Sequence, residues 1–182
     1  MIKVDFDQFM EDGYLIVRDV VPPDMLQPLR DSAEEAIRRQ WPDGVPHGCF
    51  QPWIRGFGDV IDEDTANLVQ MMTHENVIGV AEQLMPQAEC IGIGDSFLMC
   101  NPIEEHGPWY WHRDITPETK SPLEGLQQDF LANEANYIHF NIALYHDDVY
   151  WIVPGSHKRL NTDEENRQLS AVGHSYAHKQ QP

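Results

Sequence analysis

The pattern of apolar and polar positions predicts helices in the first half of the chain and strands in the second. After Pro22-Pro23-Asp24, apolar residues recur every three or four positions, as in an amphipathic helix that begins at proline. Residues 64–85 predict a second helical stretch, interrupted at Thr73–Asn76 and stopped by Pro86. From residue 90 the pattern alternates, which is typical of strands at 90–99, 137–145 and 150–153.

The segment Tyr137–Tyr145 carries the clearest alternation. Its even positions, from Ile138 to Leu144, are apolar and belong in a core, whereas His139 and Asn141 share the other face. We also predict a short strand at Tyr14–Val17 and a Gly- and Pro-rich loop over Trp41–Asp59. Helices followed by strands favour an α+β fold, mainly β, built around an antiparallel barrel or sandwich.

The charge of the chain limits its partners. Thirty acidic residues against twelve basic ones give a formal net charge of −18. Such a surface repels nucleic acid and anionic membranes, so we expect neither as a partner. The balance also fits a surface selected only for solubility. An anionic ligand would need arginine or lysine concentrated at its site.

The cysteines and the N-terminus indicate a cytoplasmic protein. The three cysteines form no Cys-x-x-Cys pair, and an odd number favours buried, reduced thiols over a disulfide framework. The first residues contain no apolar run of signal-peptide type, and no stretch of the chain reaches bilayer length. We therefore expect one domain spanning residues 1–182, with no membrane segment.

The candidate chemistry centres on His112-Arg113-Asp114, a His-x-Asp triplet. On a strand its outer residues point to one face, where imidazole and carboxylate supply two ligands of a facial non-haem Fe(II) site. The triplet alone is weak evidence, because nine histidines and thirty acids predict roughly one or two chance matches. A second one occurs at His146-Asp147-Asp148, which we interpret as a strand end.

Several motifs in order give the triplet its context. The chain resembles the phytanoyl-CoA dioxygenase family of Fe(II)- and 2-oxoglutarate-dependent oxygenases. The resemblance implies a double-stranded β-helix, the cupin-type jelly roll, with N-terminal helices (about 1–86) packed on the sheet, strands over about 87–160 and a polar tail at 161–182. The matching segments are Asp12–Arg18, Pro22-Pro23, Phe97–Met99, Trp111–Asp114, Asn141–Tyr145, Asp147-Asp148 and Trp151–His157.

By this resemblance His112 and Asp114 are the first two iron ligands. The family's third ligand is a later histidine, followed by an arginine that pairs with 2-oxoglutarate. The residues after His157 do not look like those strands, so we expect a C-terminally truncated member. We take His174 as the third ligand, with His178 as the alternative. His157 belongs to a structural turn in the family.

Other candidate residues keep two interpretations. His139 and Asn141 either line the co-substrate pocket or form a satisfied polar pair in the core. Trp53 and Arg55 either contact substrate or anchor their loop, and Arg159 and Arg167 are candidate partners for the co-substrate carboxylate.

The resemblance implies an enzyme that uses Fe(II) and 2-oxoglutarate to hydroxylate a small organic substrate. Asp114 disfavours the halogenase variant, in which a small residue occupies that position. The alternatives are a catalytically incomplete jelly-roll fragment that binds metal weakly or serves as an interaction module, and a zinc-dependent cupin. Unpaired strand edges would also permit a homo-oligomer that completes the sheet.

Overall fold

The computed structural model describes seven stretches of the chain, and they fall into two units. The stretches are residues 2–45, 53–55, 60–94, 96–100, 138–147, 150–159 and 161–172. The first unit comprises the described residues among 2–4, 17–100 and 139–146. The second unit comprises the described residues among 5–16, 138, 147, 150–159 and 161–172.

Helices and one small sheet are the regular elements of these stretches. The helices are α1 (Phe6–Asp12), α2 (Pro23–Gln40), α3 (Asn67–Met72), α4 (Glu75–Leu84) and α5 (Asp163–Val172), with a 3₁₀ turn at Ser156–Lys158. The strands β1 (Trp53–Arg55) and β2 (Phe97–Met99) pair antiparallel. None of the helices in the described stretches is long and apolar enough to cross a bilayer.

The predicted helices of the first half are confirmed. Pro23 stands at the start of α2 with Asp24 in its first turn, where an acid suits the positive end of the helix dipole. The predicted interruption separates α3 from α4. His74 caps α4 there, because its Nδ1 accepts a hydrogen bond from the Asn76 backbone N–H at 3.1 Å.

The core of the first unit lies between the helices and one face of the sheet. Leu29, Ala33 and Ala36 of α2 and Leu68 and Met71 of α3 are buried in one cluster with Ile54 of β1. Leu98 of β2 packs against the same cluster. Buried polar residues are satisfied: Ser32 donates to the Asp64 carbonyl at 2.9 Å, and Thr65 to the Val60 carbonyl at 2.6 Å.

Ion pairs and end contacts fasten the helices of this unit. Arg39 at the end of α2 bonds Glu35 at 2.6 Å and Asp64 at 2.8 Å, and also contacts Asp62. Hydrogen bonds to Glu35 and Asp62 raise the pKa of Arg39. Hydrogen bonds from Arg38 and then Arg39 lower the pKa of Glu35, and the bond from Arg39 lowers that of Asp62. The Gln83 amide donates to the Ile2 carbonyl at 2.8 Å, which holds the N-terminal residues on α4.

The strand predictions are only partly correct. Tyr14–Val17 and Tyr150–Val153 are not strands, and within 90–99 only Phe97–Met99 is one. Residues 138–145 of the segment predicted as a strand at 137–145 are not a strand either. Conversely, β1 forms inside the segment predicted as loop. Alternation reports which side chains face a core, whereas a strand also needs a neighbour about 4.8 Å away to complete its hydrogen bonds. The double-stranded β-helix remains a prediction.

Candidate functional site: an aromatic and cationic face on the two-stranded sheet

The predicted iron ligands lie outside the described residues. This holds for His112, Asp114, His174 and His178, and for Asp148 of the competing triplet. Within the described stretches, no group of three or more His, Cys, Asp or Glu side chains is placed to hold a metal ion. The iron site therefore stays a prediction from the sequence.

The two strands of the first unit have chemically different faces. Ile54 and Leu98 are register partners and face the core. The residues one position to either side of them must face the opposite way, because side chains alternate along a strand. That opposite face carries Trp53, Arg55, Phe97 and Met99. We call it the outer face of the sheet.

The outer face holds a cation against stacked aromatic rings. The Arg55 guanidinium carbon lies 5.1 Å from the centre of the Trp53 ring and 5.6 Å from that of Phe97. The two rings are 5.5 Å apart and tilted by 32°. Arg55 and Phe97 are direct cross-strand partners, so the sheet register fixes the arrangement.

His139 joins this cluster from a distant part of the sequence. Its ring lies edge-on to Phe97, with centroids 6.5 Å apart. Both His139 and Asn141 are exposed, while Phe140, Ile142 and Leu144 between and beyond them pack against the core. The predicted alternation is therefore confirmed. The interpretation of His139 and Asn141 as a polar pair in the core is wrong.

Helix α2 positions the segment that carries His139. Arg30 donates from Nε to the Leu144 carbonyl at 2.7 Å, and its guanidinium lies 4.8 Å from the centre of the Tyr145 ring. The Tyr145 hydroxyl donates to Glu34 at 2.9 Å. This hydrogen bond, followed by burial, raises the pKa of Tyr145. Sequence reasoning left Arg30 and Glu34 without a role, because no local pattern reveals a contact across more than a hundred residues.

The second unit brings together two motifs from opposite ends of the chain. The Gly155 N–H donates to the Asp12 carbonyl at 2.8 Å. His157 Nε2 lies 3.1 Å from the Met10 carbonyl, which requires a proton on that nitrogen. Lys158 pairs with Glu11 at 2.5 Å and lowers the pKa of Glu11. We call this set of contacts the turn clasp.

Gly13 is required by the turn clasp for two reasons. Its φ of +81° lies in the left-handed region, where it ends α1. A Cβ atom at this position would also lie 2.2 Å from His157 Nδ1, which is far shorter than a van der Waals contact. The Asp-Gly and Pro-Gly-Ser-His motifs are thus two halves of one structural contact.

These motifs also lie within one family match. The phytanoyl-CoA dioxygenase family model matches residues 9–180. The chain belongs to this family. No curated protein and no solved structure matches the chain. Membership implies a cupin-type jelly-roll fold and 2-oxoglutarate-dependent oxygenase chemistry of the general kind, with iron and 2-oxoglutarate as the family-level expectation.

Two arginines that the sequence offers as partners for the co-substrate carboxylate are already paired. Arg159 binds both carboxylate oxygens of Glu165 at 2.7 Å and lowers the pKa of Glu165 to about 2. Arg167 pairs with Glu164 at 2.5 Å. Using either guanidinium for a ligand would require breaking an ion pair.

Proposed function

We propose that this chain is an Fe(II)- and 2-oxoglutarate-dependent dioxygenase that hydroxylates a small organic substrate. The observation that carries the proposal is the family match over residues 9–180, which encloses the His112-x-Asp114 triplet. The family's jelly roll, a double-stranded β-helix with the N-terminal helices packed on it, is part of the proposal. The packing of α2 and α3 on the inner face of β1 and β2 supports that arrangement.

His112 and Asp114 would hold the iron, together with His174 or, as the alternative, His178. The donor chemistry fits the metal, because imidazole nitrogen and carboxylate oxygen are the ligands of facial non-haem Fe(II) sites. Bound iron and 2-oxoglutarate would supply the oxidising chemistry, while the protein binds and orients the substrate and excludes water. We place the protein in the cytoplasm, with a small molecule as its partner.

An anaerobic titration with Fe(II) and 2-oxoglutarate tests this function. We expect a saturable one-to-one visible charge-transfer band of the chelate. His112→Ala should abolish the band, and His146→Ala is the matched control, because it alters the competing His-x-Asp triplet and should leave the band intact. A folded wild-type protein with no band would contradict the proposal and favour the catalytically incomplete fragment.

The same titration identifies the third ligand. We expect His174→Ala to lose the band and His178→Ala to keep it. The reverse result would assign the ligand to His178. Retention of the band in both variants would overturn ligation by the C-terminal segment and point to a ligand from a second copy of the chain.

A further inference from the structure

Arg55 differs from most other arginines of the described stretches in its partners. Carboxylates pair with Arg38, Arg39, Arg159 and Arg167. Arg55 is exposed and makes no ion pair with any residue that the structure describes, although the chain carries thirty acids. Two aromatic rings hold its guanidinium instead. No carboxylate of the described residues competes for this exposed guanidinium, so it is available for an anion from outside.

The geometry of the outer face prepares Arg55 for a planar anion. A guanidinium that contacts aromatic rings through its face keeps the edge that carries its N–H groups available for a two-point contact with a carboxylate. Strand pairing limits the motion of Trp53 and Phe97, which back the guanidinium. The site is therefore held in place before a ligand arrives, which lowers the entropic cost of binding.

A second hydrogen-bond donor of the same cluster is unused. The Trp53 Nε1 is buried, and it has no acceptor among the described residues. Buried N–H groups in native proteins are almost always paired. Among the described residues, the cluster thus combines an exposed cation without a carboxylate partner and a buried N–H donor without an acceptor.

We propose that Arg55, supported by Trp53 and Phe97, binds the carboxylate of a small organic ligand. The ligand is a substrate that carries an acid group, or it is 2-oxoglutarate itself. This inference rests on the proposed function for the identity of the ligand, but the binding chemistry stands on the outer face alone. It supplies the local cation that an anionic ligand requires in a chain of net charge −18.

Calorimetric titration of the full chain with 2-oxoglutarate, and with small carboxylic acids each compared with its own primary amide, tests the proposal. We expect at least one acid to bind more tightly than its amide. Arg55→Gln should lower the affinity for that acid by about tenfold or more and leave the affinity for the amide unchanged. Arg55→Lys should recover only part of the affinity, because lysine keeps the charge but cannot make the two parallel hydrogen bonds of a guanidinium.

Arg18→Gln is the matched control, because Arg18 is likewise exposed and should not affect binding. Far-UV circular dichroism and thermal midpoints should match the wild type for every Arg55 variant. Trp53→Phe replaces the indole that contacts the guanidinium by a smaller ring, so it should weaken binding of the acid by a smaller factor than Arg55→Gln. Quenching of Trp53 fluorescence by the acid, absent in Trp53→Phe, provides an independent readout.

The possible results distinguish binding of 2-oxoglutarate, binding of an acidic substrate and a wrong proposal. If Arg55→Gln lowers the affinity for 2-oxoglutarate, the co-substrate is the ligand. If it lowers the affinity for another acid and leaves the affinity for 2-oxoglutarate unchanged, the ligand is a substrate that carries an acid group. If no acid binds more tightly than its amide, or if Arg55→Gln binds every acid as the wild type does, the proposal is overturned. Loss of the iron band with retained Arg55-dependent binding would contradict only the proposed function.

Discussion

The outer face of the sheet and the turn clasp both join distant parts of the sequence, but they use their polar groups in opposite ways. In the turn clasp, His157, Lys158 and the Gly155 N–H all bind atoms of α1 or the residues that end it. On the outer face, the Arg55 guanidinium and the Trp53 N–H have no acceptor among the described residues. Groups that satisfy each other stabilise a fold, whereas an exposed cation without a partner among the described residues is available for a ligand.

The largest expected effect contrasts two neighbouring residues of β1. Ile54 is 4% exposed and faces the core, so Ile54→Ala should lower the free energy of unfolding by about 2–4 kcal/mol. Arg55→Gln, one position later on the opposite face, should cost no more than about 1 kcal/mol. Urea denaturation of the two variants measures both. Equal losses would mean that Arg55 has a structural role.

Gly13→Ala should destabilise the turn clasp by about 2–3 kcal/mol. The left-handed backbone disfavours alanine by about 1 kcal/mol, and the new Cβ overlaps the His157 ring. A His157→Ala background removes the overlap, so the same substitution should then cost only about 1 kcal/mol. A double-mutant cycle in urea measures the coupling. Strict additivity would show that the ring and Gly13 do not touch.

Tyr145→Phe should cost about 1 kcal/mol, because it removes one hydrogen bond and keeps the ring under Arg30. Glu34→Gln should also lower the pKa of Tyr145 from its raised value, since the carboxylate is the main cause of the shift. Because the pKa of Tyr145 is raised above 10.0, its hydroxyl contributes fully to the stability of the folded protein below pH 10. That contribution is lost as the pH rises through the raised pKa. Ultraviolet difference titration against Tyr145→Phe, in wild type and in Glu34→Gln, follows the ionisation.

The smallest effect concerns the pairing of Arg159 with Glu165. The pKa of Glu165 is lowered from 4.5 to about 2, so its contribution to stability is present above pH 4.5 and is lost as the pH falls toward 2. Glu165→Gln should remove this pH dependence from the exchange rates of the α5 backbone amides. Glu164→Gln is the control, because its ion pair with Arg167 is more exposed. If the exchange rates of the α5 amides depend on pH in Glu165→Gln as they do in the wild type, the pairing of Arg159 with Glu165 is contradicted.

Helix α2 was predictable from the sequence because its signals are local. Pro23, Asp24 and the spacing of Leu29, Ala33 and Ala36 all act within a few residues. Helix α1 was missed although its signals are also local: Asp5 accepts from the Gln8 N–H at 2.9 Å, and Gly13 ends the helix. A search for capping residues on either side of Phe6–Asp12 would have found it.

The strands and the site were less predictable because they depend on contacts far apart in the sequence. The alternation over 139–144 correctly separated the core face from the face of His139, but the apolar run at Tyr14–Val17 could not show whether a partner strand lies beside it. Trp53 and Arg55 were candidates from the sequence alone. Their contacts with Phe97 depend on the pairing of β1 with β2 across more than forty residues, which no local pattern encodes.

The central claim is that two histidines of the family motifs have different roles, His112 in metal binding and His157 in the turn clasp. Anaerobic titration of His112→Ala and His157→Ala with Fe(II) and 2-oxoglutarate, alongside their urea denaturation, compares them directly. We expect His112→Ala to lose the chelate band at nearly unchanged stability, and His157→Ala to keep the band and lose about 1 kcal/mol of stability. A band that persists in His112→Ala, or disappears in a folded His157→Ala, would contradict the account.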